Sequence, residues 1–96
     1  MPHYVYLARW TGQGTKELKE SANRSEMFAK DVAALGGKVI AFLHTMGPYD
    51  SVVVTEMPSD EAANTAALRT AMKGYVSTLT LKGWTNAEYA ELLKKV

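Results

Sequence analysis

The sequence predicts an α+β domain, in which a four-stranded antiparallel sheet carries two long helices and a further helix follows at the C-terminal end. Three observations predict it. Segments 3–10, 38–46, 51–57 and 75–82 are rich in β-branched and aromatic residues with period-two alternation. Segments 22–35 and 60–73 place apolar and small residues at helical spacing, and glycine follows each. Their order is β-α-β-β-α-β, and 96 residues hold it as a single domain, 1–96.

The first strand is His3-Tyr-Val-Tyr-Leu-Ala-Arg-Trp10. Alternation places Val5 and Leu7 on one face and Tyr4, Tyr6, Ala8 and Trp10 on the other, so neither face reads as an ordinary solvent face. Thr11-Gly-Gln-Gly14 stops the strand, and Thr15 to Glu20 reads as a short helical turn. The main helix follows, with Ser21 as its expected N-cap and Phe28, Val32 and Leu35 as a core-facing stripe widened by Met27 and Ala34. Its charges have mixed sign and read as a solvated face. Gly36-Gly37 ends it.

Strands two and three flank Thr45-Met-Gly-Pro-Tyr-Asp50, whose Gly, Pro and Asp mark a hairpin connection. Pro58 closes strand three, and Ser59-Asp60-Glu61 opens the second helix with a cap and an acidic first turn. That helix is built largely of alanine, which permits close approach to a sheet. Strand four alternates from Tyr75 to Lys82. Thr85-Asn-Ala-Glu88 is a capping box, and Tyr89, Leu92, Leu93 and Val96 follow at i, i+3, i+4 and i+7. This C-terminal helix has one apolar face that must dock on something.

The order is the ferredoxin-like pattern. Right-handed crossovers place both long helices on one sheet face and leave the other bare. Tyr4, Tyr6 and Trp10, with one parity of each other strand, are expected on that bare face. An apolar sheet face of this kind is an interaction surface, and the economical cover is a second copy, giving a homodimeric α+β barrel.

Composition narrows the function. The chain is 47% hydrophobic, which excludes disorder, and has no cysteine, which excludes disulfides, a thiol nucleophile and cysteine-held metal. A net charge of +1 from eleven basic and ten acidic residues gives no nucleic-acid footprint. Tyrosines and tryptophans on an open sheet can stack bases, but the basic companions of such a surface are missing. No apolar run reaches the ~18 residues of a membrane span, and Met1-Pro-His-Tyr has no secretory pattern, so a cytoplasmic protein is expected. Asn23-Arg24-Ser25 matches a glycosylation site only by chance in that setting.

Tyr4-Val5-x-Leu7-x-x-Trp10-Thr11-x-x-Gly14, the Leu35-Gly36-Gly37-Lys38 step and Met46-Gly47-x-Tyr49-Asp50 resemble the GYD domain family from the first strand to the fourth. The resemblance implies a ferredoxin-like fold of the dimeric α+β-barrel type and no assigned reaction. The hairpin alone is also similar to the Gly-x-Tyr-Asp turn of the Lrp/AsnC effector domain, an amino-acid-binding barrel, over about ten residues; no helix-turn-helix accompanies it here.

The chemistry-bearing residues are few. Gly47 and Asp50 are expected to shape the turn, Asp50 by accepting from turn amides. Tyr49 either packs at the interface or offers its phenol to a barrel mouth. His44 shares parity with Ile40, Phe42 and Met46, which makes it a candidate imidazole in an inter-sheet cavity. Glu56 shares parity with Val52 and Val54. His3, His44, Asp50 and Glu56 lack ligand-like spacing, so no metal is expected. Gly12-Gln-Gly14 lacks the rest of a nucleotide motif, and no other cofactor is implied. Three readings follow. The barrel binds a small, partly apolar molecule through His44, Tyr6, Trp10, Tyr49 and Glu56. Alternatively, it is a cofactor-free monooxygenase- or isomerase-like enzyme with His44, Tyr6 and Trp10 at its site. The third is an assembly module without a ligand.

Overall fold

The computed structural model describes residues 1–96. Its elements are β1 (His3–Trp10), α1 (Gly12–Lys16), a 3-10 turn (Leu18–Glu20), α2 (Ser21–Ala34), β2 (Lys38–His44), β3 (Ser51–Glu56), α3 (Asp60–Lys73), β4 (Val76–Gly83) and α4 (Asn86–Leu93). The strands form one antiparallel sheet in the order β2-β3-β1-β4. This is the α+β arrangement expected from the element order.

Local chemistry explains most boundaries. Thr11 ends β1 and caps α1, its hydroxyl accepting from the Gly14 amide at 3.2 Å and donating to the Gly74 carbonyl at 2.6 Å. The Thr11 amide donates to the Tyr75 carbonyl. These bonds press α1 against the start of β4, where a Cβ on Gly14 would lie 2.0 Å from the Tyr75 carbonyl oxygen. Only glycine fits that approach. The helical turn expected from Thr15 therefore begins earlier, at Gly12.

Ser21 does not cap α2. The 3-10 turn runs directly into the helix, and the Ser21 hydroxyl donates back to the Leu18 carbonyl. Ser59 caps α3 by accepting from the Ala62 amide at 3.1 Å. Strand β2 ends at His44 rather than at residue 46.

The helices cover one sheet face, and they cover the aromatic one. Tyr4, Tyr6, Ala8 and Val53 are buried with Phe28 and Val32 of α2 and Ala63 and Ala66 of α3. The Tyr4 hydroxyl donates to the Asp60 carboxylate, and the Tyr6 hydroxyl donates to the Ala63 carbonyl at 2.9 Å. Tyr6, Phe28 and Phe42 follow one another edge to face, with centroids 5.2 and 6.3 Å apart, each pair contributing about 0.5–1.5 kcal/mol beyond its buried area. Alanine on α3 leaves room for the tyrosine rings beneath it. The expectation that Tyr4, Tyr6 and Trp10 line the bare face is therefore overturned: all three lie on the helix side, and the two phenols find acceptors on α3, which removes the cost of burying them.

The bare face is aliphatic. The register aligns Ala41, Val54, Val5 and Leu81 in one row across the sheet, and Leu43, Val52, Leu7 and Leu79 in the next. A polar row of Lys38, Glu56, His3 and Gly83 bounds this band at one end. Arg9 opposite Ser77 bounds it at the other. Leu43, Leu79 and Leu81 are 60%, 51% and 46% exposed. The leucines of β4 face this open side, while Val76 and Thr78 face the helices.

Helix α4 stands apart. Its capping box is complete, yet none of its residues is buried, and it packs substantially on no other element. The molecule measures 49 × 30 × 17 Å with a radius of gyration of 14.2 Å. A compact chain of this length has about 12.5 Å. No helix is long and apolar enough to cross a membrane.

Candidate functional site

Two surfaces compete as the functional site: a cleft beneath the helices and the open aliphatic band.

The cleft opens between α2, the end of α3 and the sheet. Its floor is the aromatic core around Tyr6, Phe28 and Phe42, and Trp10, Tyr75 and His44 stand at its sides. Its volume is about 80 Å³. Pockets that take small metabolites run from about 300 Å³ upward, so the cleft admits only a guest of a few heavy atoms.

Of the expected site residues, His44, Tyr6 and Trp10 meet here. They do so under the helices and not between two sheets. The parity that set His44 beside Ile40 is broken by a bulge between Val39 and Ala41, which leaves Ile40 as the unpaired extra residue. His44 and Phe42 remain on the helix side, paired with Ser51 and Val53, and their rings lie 5.2 Å apart. Met46, the other residue of that parity, projects fully into solvent beyond the strand.

His44 Nε2 lies 3.2 Å from the Ser25 hydroxyl oxygen. Ser25 has one proton, and its hydroxyl sits 2.9 Å from the Ser21 carbonyl, an acceptor only. With that proton on Ser21, Nε2–H donates to Ser25. A histidine acting as donor does not activate a serine nucleophile.

The cationic groups at the rim are already engaged. The Arg24 guanidinium donates to the Glu17 carbonyl at 2.8 Å and lies 4.6 Å from the Tyr75 ring centroid. Lys73 pairs with Asp31 at 2.8 Å.

Tyr49 and Glu56 lie elsewhere. Tyr49 is half-buried in the β2–β3 connection, with the Arg9 guanidinium 4.9 Å from its ring centroid. Glu56 stands in the polar row between Lys38 and His3 and lies 3.3 Å from His3 Nε2, while His3 Nδ1 faces Glu88 of α4 at 3.6 Å. The Glu88 carboxyl is held below its usual range, chiefly by the backbone and hydroxyl of Thr85, with His3 adding to the effect.

Gly47 and Asp50 lie in the β2–β3 connection. Gly47 has φ of 106°, a left-handed conformation that favours glycine. Asp50 works differently from expectation. Its carboxylate accepts from the Trp10 amide of β1 at 2.9 Å rather than from the turn, and its own amide donates to the Ala8 carbonyl. It fastens the hairpin tip to the neighbouring strand. No three His, Asp or Glu side chains stand close enough together to hold a metal ion.

The open band is the larger feature, and sequence reasoning assigned the wrong residues to it. The available signal was the alanine content of α3: a helix of small residues fits over a sheet face of large ones, so the tyrosines belong beneath it and the leucines of β4 outside.

Known proteins resemble this chain over nearly its full length. A Thermus thermophilus protein named as a glutamine synthetase and cystathionine beta-lyase binding protein is 30% identical over 95 residues, covering 98% of this chain and 100% of that one. A crystal structure of a protein from Thermus thermophilus superimposes with a TM-score of 0.56 at 22% identity, covering 88% of this chain and 95% of the other, which shows a shared fold. The GYD domain matches residues 4–93, and the chain belongs to the GYD domain family.

Proposed function

We propose that this chain is a self-pairing interaction module: two copies close their open sheet faces into a dimeric α+β barrel, and the pair binds protein partners. The observation that carries this reading is the band of two aliphatic rows bounded by polar residues at both ends. An uncharged strip that spans the sheet with polar margins is the anatomy of an interface core and rim. Covering a half-exposed leucine contributes about 1 kcal/mol, and a two-fold contact counts each one twice. The Thermus relative is named for binding two enzymes, which supports protein partners for this chain too.

Sedimentation velocity tests both parts. Wild type should run as a dimer and Leu79→Asp as a folded monomer, because the variant sets a charge in the aliphatic row of each copy. A monomeric wild type at micromolar concentration would end the pairing reading. Mixing wild type with purified glutamine synthetase or cystathionine beta-lyase should give a faster-sedimenting complex. Unchanged boundaries with both enzymes would remove them as partners.

A small, partly apolar ligand in the cleft is the second reading. The observation favouring it is the aromatic floor with His44 at the rim. A thermal-shift screen of small metabolites on wild type and His44→Ala would show stabilisation in the first and its loss in the second; no stabilisation in either counts against it.

A further inference from the structure

We infer that α4 docks on the second copy, so that the interface consists of the aliphatic band and the Tyr89–Leu92–Leu93–Val96 stripe together. The inference rests on the self-pairing proposed above and adds what holds the pair.

The band alone is too small. At about 25 cal/mol per Å², the free energy of burying an aliphatic side chain corresponds to roughly 60–120 Å². Leu43, Leu79 and Leu81 are each close to half exposed, and Val5, Leu7, Val52 and Val54 less so. The band then offers on the order of 150–300 Å² of apolar surface per copy. A stable interface buries about 800 Å² per partner, of which about 65% is apolar in homodimers, or about 500 Å².

Helix α4 and its approach supply the difference. Trp84 and Tyr89 are 54% and 53% exposed, Leu93 52% and Leu92 37%, and Val96 is fully exposed. On the same conversion these five add on the order of 200–350 Å². Band and helix together reach the apolar area that a stable pair needs.

Position agrees with area. Helix α4 leaves β4 at Gly83, in the polar row that bounds the band, and Glu88 on its first turn faces His3 of that row. The helix therefore flanks the open face, where a sheet packed on the band meets it. None of its residues is buried by its own chain. An eight-residue helix is marginal by itself in water, and its capping box satisfies only its first turn.

The test uses full-length Leu92→Asp/Leu93→Asp and, separately, a chain ending at Gly83. Neither leucine is buried within one copy, so the double variant keeps the single-chain core. Sedimentation equilibrium should show the dimer dissociation constant rising by roughly 100-fold or more in the double variant, since four leucines leave the contact. The truncated chain should weaken pairing at least as much, with circular dichroism confirming that the sheet is retained. Pairing as tight as wild type in the folded double variant overturns the inference and leaves the self-pairing reading standing. So does unchanged pairing with a lower melting temperature, which would put α4 on its own sheet. A monomeric wild type overturns both readings at once.

Discussion

Tyr4 and Asp60 share one hydrogen bond, and it moves their two pKa values in opposite directions. Burial beneath α3 raises the Tyr4 phenol to about 12, and the Asp60 carboxylate, which accepts its proton, adds to the rise. The same bond, with Lys82 next to it, holds the Asp60 carboxyl below its ordinary value. For Tyr4 the folded state binds the proton more tightly than the unfolded chain. Its contribution is complete below the unfolded pKa of about 10 and is lost as pH rises toward about 12. For Asp60 the sign is reversed: its contribution is complete above the ordinary carboxylate range and is lost as pH falls through the depressed value. Urea midpoints should therefore fall in wild type between pH 10 and about 12. Tyr4→Phe should show a shallower alkaline fall, with Tyr6, also raised by burial, supplying part of what remains. Asp60→Asn should be less stable than wild type at pH 7 and converge toward it in acid. Parallel pH profiles for wild type and Tyr4→Phe would contradict this account.

At the scale of elements, much was legible because local rules and tertiary contacts agree. Four strands, two long helices and the capping box at Thr85 emerge where alternation, helical spacing and cap residues point the same way. The misreadings fall where a tertiary contact overrides a local signal. Ser21 has the chemistry of an N-cap, but the preceding 3-10 turn takes its hydroxyl. His44 keeps its place in the sequence, but the bulge at Ile40 changes which residues share its face. Alternation in β1 sorts Tyr4 and Tyr6 from Val5 and Leu7 without saying which set the helices cover. Gly14 shows such a contact at one atom. Gly14→Ala forces a Cβ against the Tyr75 carbonyl, a backbone atom held by the Thr11 amide, and nothing flexible can yield. A cost of about 1–3 kcal/mol is expected, which lowers the melting temperature by about 4–8 °C per kcal/mol in a domain of this size. Gly12→Ala, in the same helix with open space around it, should leave stability unchanged or raise it slightly. Equal melting temperatures for the two variants would show that the α1–β4 contact is looser than its geometry.

The whole molecule has one satisfied face and one waiting for cover. Its core is thin: twelve residues are buried, nearly all between the helices and the aromatic side of the sheet. The aliphatic band and α4 lie outside that core, so the proposed pairing would contribute a share of stability that a single copy lacks. In the proposed pair, folding and association are coupled, and stability depends on protomer concentration. Each tenfold dilution removes about 1.4 kcal/mol per dimer, or about 0.7 kcal/mol per chain. At about 4–8 °C per kcal/mol, the melting temperature should drop by about 3–6 °C per tenfold dilution. Because the band is uncharged, added sodium chloride should leave this slope nearly unchanged, whereas sulfate should raise the melting temperature by strengthening apolar burial. Leu79→Asp, reduced to its single-chain core, should melt lower than wild type and at a temperature independent of concentration. Scanning calorimetry over two decades of concentration decides the matter: a flat wild-type melting temperature would mean that the band contributes nothing to folding.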